Sequence, residues 1–221
     1  MAQIPRVLSI AGTDPTGGAG VQADLKAIAA AGGYGMSVTT ALVAQNTQGV
    51  REIHTPPQSF LRAQLDAVFD DVAVDAVKIG MLGDTETTHT VADYLAVRPV
   101  PVVVVDPVMV ATSGDRLLSA DAEAALRQLV ADHATVVTPN IPELAVLTDE
   151  PEPDSFDAAV ELGRRYAREA DVQVLVKGGH LSGERASNAL VAPDGSAHVA
   201  EVPRVATKNT HGTGCSLSSA L

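Results

Sequence analysis

A glycine-rich segment near the end of the chain combines features suited to binding phosphate. Residues 212–215 (Gly-Thr-Gly-Cys) open a predicted helix, Ser216–Leu221, so that backbone N–H groups face one shared anion position. Lys177 follows a predicted strand and supplies a positive charge, which together with those N–H groups would stabilise charge developing in phosphoryl transfer. A lone cysteine is usually inert packing, but Cys215 is flanked by glycine and serine at a helix start, where the dipole favours a thiolate.

Polar residues also follow two other predicted strands. Asp106 comes directly after Val100–Val105, and Asn140 and Glu143 come after Thr135–Thr138. Carboxylate and amide oxygens that converge at strand ends suit Mg²⁺, a hard ion that keeps several waters. Asn140 and Glu143 also have the spacing of a helix N-cap and the third helical residue, so a capping box is an equally good interpretation.

The first predicted strand leads into a second glycine-rich turn, residues 12–20, with Asp24 in the helix that follows. Glycines permit a tight turn and close backbone approach, and a helix N-terminus can receive an anion. The turn has neither the Gly-Lys-Ser/Thr of a Walker A loop nor the spacing of a dinucleotide fingerprint. Taken alone, these residues also fit a plain strand–helix turn, with Asp24 as an exposed helix residue.

Two further segments have residues that could line a ligand pocket. Gln45 belongs to a Gln-Asn-Thr sequence after a predicted strand, and its side chain could form hydrogen bonds with the polar edge of a ligand. Alternatively, this sequence is a solvated loop. Met81, within Gly80–Gly83, could form an apolar wall, although such a methionine is usually core packing. The six histidines show no His-x-x-x-His or similar pairing, so no zinc site is predicted.

Short apolar runs alternate with segments of helical periodicity, and this alternation predicts an α/β domain with a mainly parallel sheet. The run Val102–Val105 is apolar throughout, which is typical of a strand covered by helices on both faces. Asp194-Gly195 predicts a tight antiparallel turn between Ala189–Ala192 and Ala197–Val202. The predicted strands are Val7–Ala11, Ser37–Val43, Ala76–Ile79, Val100–Val105, Thr135–Thr138 and Val172–Val176, and the predicted helices are Val21–Ala31, Gln58–Phe69, Thr85–Val97, Ala120–Val130 and Phe156–Ala170.

Length, charge and cysteine content exclude several classes of protein. The 221 residues correspond to one large domain, and 15 Lys and Arg against 27 Asp and Glu give a net charge of −12. That charge argues against binding a nucleic-acid backbone or an anionic membrane surface. Cys215 is the only cysteine, which excludes an internal disulfide and fits a reducing compartment. Because no segment approaches the roughly 18 apolar residues of a membrane span, a soluble, cytoplasmic protein is expected.

Seven motifs, in order along essentially the whole chain, resemble the hydroxymethylpyrimidine and phosphomethylpyrimidine kinases of thiamine biosynthesis, within the ribokinase-like superfamily. Seven ordered motifs are far more specific than any single glycine loop. They are Ala11–Lys26 (AGTDPTGGAGVQADLK), Ala41–Val50 (ALVAQNTQGV), Lys78–Leu82 (KIGML), Val105–Met109 (VDPVM), Thr138–Glu143 (TPNIPE), Val176–His180 (VKGGH) and Thr207–Cys215 (TKNTHGTGC).

The resemblance implies a ribokinase-like three-layer α/β/α sandwich and two successive phosphoryl transfers from MgATP. The first acceptor would be the hydroxymethyl group of 4-amino-5-hydroxymethyl-2-methylpyrimidine, and the second its monophosphate. Asp106 and Glu143 would organise Mg²⁺, with Asn140, Lys177 and Thr213 on the phosphates. The substrate would contact Gly12, Asp24, Gln45, Met81 and Val108, and the anion hole would be formed by Gly212, Thr213, Gly214 and Cys215. Cys215 stands where many sugar kinases carry an aspartate base, and it would act as a base or as a donor that positions the hydroxyl.

Two alternative functions are compatible with the same residues. A pyridoxal-type vitamin kinase would act on a similar flat heteroaromatic alcohol but would make no diphosphate. A non-catalytic pyrimidine-binding domain would be stabilised by the ligand without ATP turnover.

The resemblance also has consequences for domain organisation. Residues 1–221 would be one kinase domain, truncated after Leu221 where the family continues for roughly forty residues. The hairpin near Asp194-Gly195 would suit a homodimer interface or a lid.

Overall fold

Alternating apolar and amphipathic segments fold as strands and helices in the computed structural model, which describes residues 3–109, 119–207 and 209–221. The strands are β1 (Arg6–Ala11), β2 (Tyr34–Thr39), β3 (Leu42–Asn46), β4 (Gly49–His54), β5 (Ala76–Ile79), β6 (Val102–Val105), β7 (Val136–Val137), β8 (Gln173–Lys177), β9 (Asn188–Val191) and β10 (Ala197–Ala200). The helices are α1 (Gly20–Ala30), α2 (Gln58–Phe69), α3 (Thr85–Val97), α4 (Ala120–His133), α5 (Ile141–Thr148), α6 (Phe156–Ala170) and α7 (Thr213–Ser219).

Eight of these strands form one sheet in the order β10-β9-β8-β7-β6-β5-β1-β2. The pairs from β8 to β2 are parallel, whereas β9 pairs antiparallel with both β8 and β10. The inward side chains of the central strands, such as Leu8, Val77 and Val105, are fully buried, because helices cover both faces of a parallel sheet. The predicted α/β class with a mainly parallel sheet and an antiparallel hairpin is confirmed.

The sheet order places the helices in two layers. The chain moves from β1 outward to β2 and then returns across β1 to β5, so right-handed crossovers put α1 on the face opposite α2, α3 and α4. Helix α7 packs against α1, while α3 packs against both α2 and α4. Among the described helices, none is long and apolar enough to cross a membrane.

The predicted strand Ser37–Val43 is wrong, because the chain leaves the sheet in the middle of it. The hydroxyl of Thr40 donates to the Met81 carbonyl at 2.7 Å, and the Val43 N–H donates to the Thr13 hydroxyl at 3.0 Å. These bonds turn residues 40–43 towards the glycine-rich turn, and β3 pairs instead with β4 as a separate two-stranded sheet. Gln45 therefore lies within a hairpin strand rather than after a strand, and β4 is an element that the sequence did not predict.

Other boundaries differ by a few residues. The predicted helix Ser216–Leu221 begins earlier, at Thr213, and the predicted strand Thr135–Thr138 is reduced to two residues. The Asp194-Gly195 turn is confirmed, with Gly195 at φ +85° and its N–H bonded to the Ala192 carbonyl. Lys208, in the seventh motif, lies outside the described residues.

Candidate active site

Three predicted residues converge at the carboxyl ends of β6, β7 and β8. Lys177 Nζ lies 2.8 Å from Asp106 Oδ1 and 4.0 Å from Glu143 Oε2. Asp106 also accepts a hydrogen bond from the Thr138 hydroxyl at 3.0 Å. Because parallel strands end at the same edge of a sheet, residues 71 positions apart in sequence meet here. The two carboxylates and the ammonium form a compact, largely buried charge cluster, which is hereafter called the strand-end cluster.

The two carboxyl groups of the strand-end cluster differ in proton affinity. Burial raises the pKa of Asp106, but the ammonium groups of Lys177 and Lys78 outweigh it, so that its net pKa is lowered. Burial raises the pKa of Glu143 to about 7, with Lys177 opposing the rise and Asp106 adding to it. Burial lowers the pKa of Lys177, and the two carboxylates outweigh that effect and raise it. Near neutral pH, therefore, Asp106 and Lys177 are charged and Glu143 is poised to lose a proton.

The capping-box interpretation of Asn140 and Glu143 is confirmed. The Asn140 side-chain oxygen accepts from the Glu143 N–H at 2.9 Å, and the Glu143 carboxylate accepts from the Asn140 N–H at 2.8 Å. The Lys177 N–H donates to the Pro139 carbonyl, which ties β8 to the start of α5. The cap thus fixes Glu143 beside Lys177, so one arrangement serves both helix initiation and the charge cluster.

Helix α7 brings the glycine-rich segment against the strand-end cluster. Gly212 is its N-cap, with φ +76°, and a side chain there would collide with the Gly18 carbonyl. A Cβ on Gly214 would lie 3.5 Å from Lys177 Nζ and 3.7 Å from Asp106 Oδ2. The predicted helix start at residues 212–215 is confirmed, and it faces Lys177 as the sequence suggested. Thr213 is exposed, with its hydroxyl donating to the Thr210 carbonyl at 3.0 Å.

Cys215 lies in the first turn of α7 and is partly buried. Burial raises the pKa of its thiol, Lys78 opposes the rise, and Asp106 and Asp24 add to it. The N–H of Gly20, at the start of α1, also lowers that pKa through a hydrogen bond. The expectation that the helix start alone favours a thiolate is therefore outweighed by the desolvation of the thiol.

The two glycine-rich segments are joined through Asp14, which is fully buried. Its Oδ2 atom lies 2.8 Å from His211 Nε2 and accepts from the Ala19 N–H at 2.8 Å. His211 immediately precedes the N-cap of α7, and Ala19 is the N-cap of α1. Asp14 thereby fixes the starts of both helices relative to each other.

Acid is expected to weaken this junction. Burial opposes ionisation of Asp14, but hydrogen bonds from His211, Thr16 and Ala19 lower its pKa from 3.8 to about 2. The lowered folded-state pKa stabilises the fold above pH 4 to 5, and that contribution is lost as the pH falls towards 2. Urea unfolding of wild type and Asp14→Asn between pH 5 and pH 2.5 should show the stability difference shrinking. A difference that stays constant over this range would contradict the prediction.

Part of the predicted apolar wall, Gly12 with Met81, lies together at the glycine-rich turn. A Cβ on Gly12 would lie 2.5 Å from Met81 Cε and 3.6 Å from a methyl group of Val43. Val108 is half-buried and its N–H donates to the Asp106 carbonyl, so it adjoins the strand-end cluster. Gln45 lies on β3 beside a register irregularity, and its side chain makes no hydrogen bond within the part of the chain that the structure describes. Its amide therefore remains available to a ligand.

Asp24 does not belong to this wall. It is fully buried, so its interpretation as an exposed helix residue is wrong. Its carboxylate accepts hydrogen bonds from Ser9 at 2.6 Å, from Lys78 at 2.9 and 3.0 Å, and from Ser219 at 2.8 Å. A carboxylate has about four acceptor positions, and protein donors fill all of them here.

Sequence reasoning gave no role to Lys78, His211 or Ser219. For Lys78 a signal was present, since a lysine inside the apolar strand Ala76–Ile79 implies a buried partner.

An open groove of about 520 Å³ lies between the glycine-rich turn and the β3–β4 hairpin. None of the predicted substrate residues lines that groove, which is lined instead by residues such as Leu42 and His54.

Comparison with known proteins gives consistent matches. The family model for phosphomethylpyrimidine kinase matches residues 14–221. A thiamine biosynthesis multifunctional protein of Corynebacterium efficiens is 64% identical over 98% of the chain, which spans only 29% of that relative. A hydroxymethylpyrimidine/phosphomethylpyrimidine kinase of Escherichia coli is 49% identical over 97% of the chain and 80% of its own length.

Solved structures share the fold. A phosphomethylpyrimidine kinase from Clostridium difficile superposes with a TM-score of 0.84 at 38% identity, over 97% of this chain and 87% of that one. A Bacillus subtilis pyridoxal kinase in complex with ADP superposes with a TM-score of 0.87 at 32% identity, over 98% of this chain and 81% of that one. The predicted ribokinase-like architecture is confirmed by these neighbours. The chain belongs to the phosphomethylpyrimidine kinase family.

Proposed function

We propose that this chain transfers a phosphoryl group from ATP to 4-amino-5-hydroxymethyl-2-methylpyrimidine and then a second one to the resulting monophosphate. The observation that carries the proposal is the position of Lys177, paired with Asp106 and close to the first turn of α7. Positive charge beside converging backbone N–H groups is what phosphoryl transfer requires, since catalysis there is mostly positioning and charge stabilisation. The chain spans less than a third of the corynebacterial multifunctional relatives, whose other activities are not proposed for it.

The strand-end cluster suits a nucleotide with Mg²⁺. Mg²⁺ is usually held by one or two carboxylates together with substrate phosphates and water, and Asp106 and Glu143 provide such oxygens. When bound there, Mg²⁺ would neutralise charge on the phosphates. Lys177 would hold the transferring group, and the Asn140 side-chain amide and the exposed Thr213 hydroxyl would contact nucleotide phosphate. Asp106 and Glu143 would also keep Lys177 charged and oriented.

The substrate-side contacts follow from the wall at the glycine-rich turn. Gly12, Met81 and Val108 would pack against the flat ring, and the free amide of Gln45 would bond its polar edge. The resemblance also assigns Asp24 to the aminopyrimidine, although its acceptor positions are filled by protein donors. Any Asp24 contact with the ring would therefore require one of those donors to move.

Gly212, Gly214 and Cys215 would complete the anion hole with Thr213. Since burial raises the pKa of Cys215, its side chain is a thiol near neutral pH, and a thiol can donate to the substrate hydroxyl but cannot take its proton. The raised pKa therefore favours Cys215 as a hydroxyl-positioning donor over Cys215 as the base. Single-turnover transfer in Cys215→Ala tests this role, and an unchanged rate would eliminate it.

The direct test is a phosphate-resolved product assay with purified protein, MgATP and hydroxymethylpyrimidine. Monophosphate followed by diphosphate is expected. Monophosphate alone would favour the pyridoxal-type kinase, a candidate supported by the ADP-bound neighbour at 32% identity. Ligand-induced stabilisation without any product would favour a binding domain. The two-step reaction is supported by the higher identity, 49%, to the hydroxymethylpyrimidine/phosphomethylpyrimidine kinase of Escherichia coli and by 64% identity to the thiamine biosynthesis protein of Corynebacterium efficiens. We place the reaction in the cytoplasm.

Binding of MgATP should release a proton from Glu143. With a pKa of about 7, this carboxyl is roughly half-protonated at pH 7, and an approaching cation favours its ionised form. Calorimetric titrations in two buffers of different ionisation enthalpy should therefore give different apparent binding enthalpies. The difference should correspond to the release of about half a proton per MgATP bound. The variant Glu143→Gln should abolish the difference. Equal enthalpies for wild type in both buffers would refute the assignment.

A further inference from the structure

The Lys78–Asp24 pair is a buried charge pair that the proposed reaction does not use. Both side chains are nearly inaccessible, with 2% of Lys78 and none of Asp24 exposed. Lys78 Nζ lies 2.9 and 3.0 Å from the two carboxylate oxygens, and Ser9 adds a bond of 2.6 Å. Such a pair loses much hydration energy on burial, so the attraction between its charges is by itself a weak argument for a purely stabilising role.

The pair connects the core of the sheet to helix α7. Lys78 belongs to β5, with its ammonium directly beneath Gly80, because a Cβ on Gly80 would lie 2.9 Å from Nζ. From the other side, the Ser219 hydroxyl in the last turn of α7 donates to Asp24 Oδ1 at 2.8 Å. A chain of hydrogen bonds thus runs from β5 through α1 to α7, joining residues 195 positions apart. We call it the Ser219 anchor.

Helix α7 depends on contacts of this kind. It has only seven residues, and its N-cap provides no side-chain bond. An isolated helix of that length is unstable in water, so tertiary contacts must hold it. The adjacent Ser218 has a single hydroxyl hydrogen, for which the Gly214 carbonyl at 2.9 Å competes with Asp106 at 3.3 Å. Ser219 therefore makes the better-defined side-chain bond from this turn to the rest of the molecule.

We propose that Asp24, held by Lys78, is a positioning residue for phosphoryl transfer, which acts by accepting the Ser219 hydroxyl and so fixing helix α7. This inference rests on the proposed function. The first turn of α7 passes so close to Lys177 and Asp106 that a shift of the helix along its axis would move the anion hole and Cys215 relative to them. Displacements of about 1 Å in a transfer site cost large factors in rate.

The charges of the pair oppose each other at Cys215. Burial is the main cause of the raised pKa of this thiol, while Lys78 lowers that pKa and Asp24 raises it. Because the two contributions have opposite signs, Asp24 offsets part of the effect of Lys78 on this thiol. In this proposal the pair acts by fixing the position of helix α7. The test therefore removes the Ser219 hydroxyl and leaves both charges in place.

The first test measures the position of α7 without any substrate. Cys215 is the only cysteine, so alkylation by iodoacetamide reports on this helix alone. Ser219→Ala should increase the alkylation rate about tenfold, since it removes a hydrogen bond to a charged group and favours local opening. The exposed Ser216, one turn away, provides the control Ser216→Ala, which should stay within about twofold of wild type. Ser219→Thr, which keeps the hydroxyl, should restore the slower rate.

The second test separates positioning from substrate contact. With hydroxymethylpyrimidine and MgATP, Ser219→Ala should lower kcat about tenfold or more and leave KM for the pyrimidine unchanged. An unchanged alkylation rate in Ser219→Ala overturns the proposal. A raised KM at constant kcat also overturns it, because that result would indicate that Asp24 contacts the pyrimidine. If wild type lacks kinase activity, the proposed function fails, whereas the alkylation comparison still decides whether Ser219 holds α7.

Discussion

Lys177→Met is expected to lower kcat for phosphoryl transfer by about 10²- to 10³-fold, the usual loss when one preorganised charge-stabilising donor is removed. Lys177 is the cation of the strand-end cluster, 2.8 Å from Asp106 and adjacent to the first turn of α7. A methionine preserves much of the side-chain volume but provides no charge for the transferring phosphoryl group. Steady-state kinetics with hydroxymethylpyrimidine and MgATP measure the effect, with circular dichroism as a check on folding.

The same substitution also leaves two buried carboxyl groups without their ammonium. Asp106 keeps its bond from Thr138, and Glu143 can become neutral because its pKa is already about 7. Folding should therefore survive at low temperature, where the kinetics are best measured. Arg62→Met, which removes an exposed positive charge from α2, should have kinetics close to those of wild type. A folded Lys177→Met protein within tenfold of the wild-type kcat would refute the role given to Lys177.

Lys78→Met is expected to destabilise the fold by about 3 to 5 kcal/mol, because it leaves the Asp24 carboxylate buried with no cation. For a chain of this size, that corresponds to a fall in Tm of roughly 6 to 20 °C. Thermal and urea unfolding at pH 7 measure the loss. The double variant Lys78→Met/Asp24→Leu should recover much of it, since replacing both charges removes the uncompensated carboxylate.

The exposed pair Arg98–Asp70 provides a matched comparison. Its two atoms are also 2.9 Å apart, but the side chains are 48% and 63% exposed. Water screens such a pair, so Arg98→Met should change stability by no more than about 1 kcal/mol. If Lys78→Met and Arg98→Met lower the free energy of unfolding by similar amounts, the prediction is wrong, because burial would then make no difference to the cost of removing the cation.

Most of the secondary structure could be predicted from local patterns. The apolar run Val102–Val105, the helical stripe of the first helix and the Asp194-Gly195 turn each report a preference of a few adjacent residues, and all three are present in the fold. The spacing of Asn140 and Glu143 likewise predicted a capping box as one of two interpretations, and the structure contains it. Lys177 and residues 212–215 could be selected as candidates for phosphate binding because a cation and a glycine-rich helix start are evident from the residue types alone.

Local patterns failed where distant segments compete for the backbone. Ser37–Val43 has the composition of one strand, but hydrogen bonds to Thr13 and Met81 divide it and direct the second half into a separate hairpin. Those partners lie about 30 and 41 positions away, so no window of adjacent residues contains the information.

The pairings of the buried charges were decided only by the tertiary structure. By itself, the sequence determined the alternation of strands and helices, the glycine-rich turns and the residue types available for phosphate chemistry. It did not determine that Asp24 meets Lys78 and Ser219, or that Asp14 meets His211. These contacts depend on the sheet order, which sets β5 beside β1 and lets α7 pack against α1. Periodicity encodes which face of an element is buried, whereas the packing of whole elements decides which buried groups become neighbours.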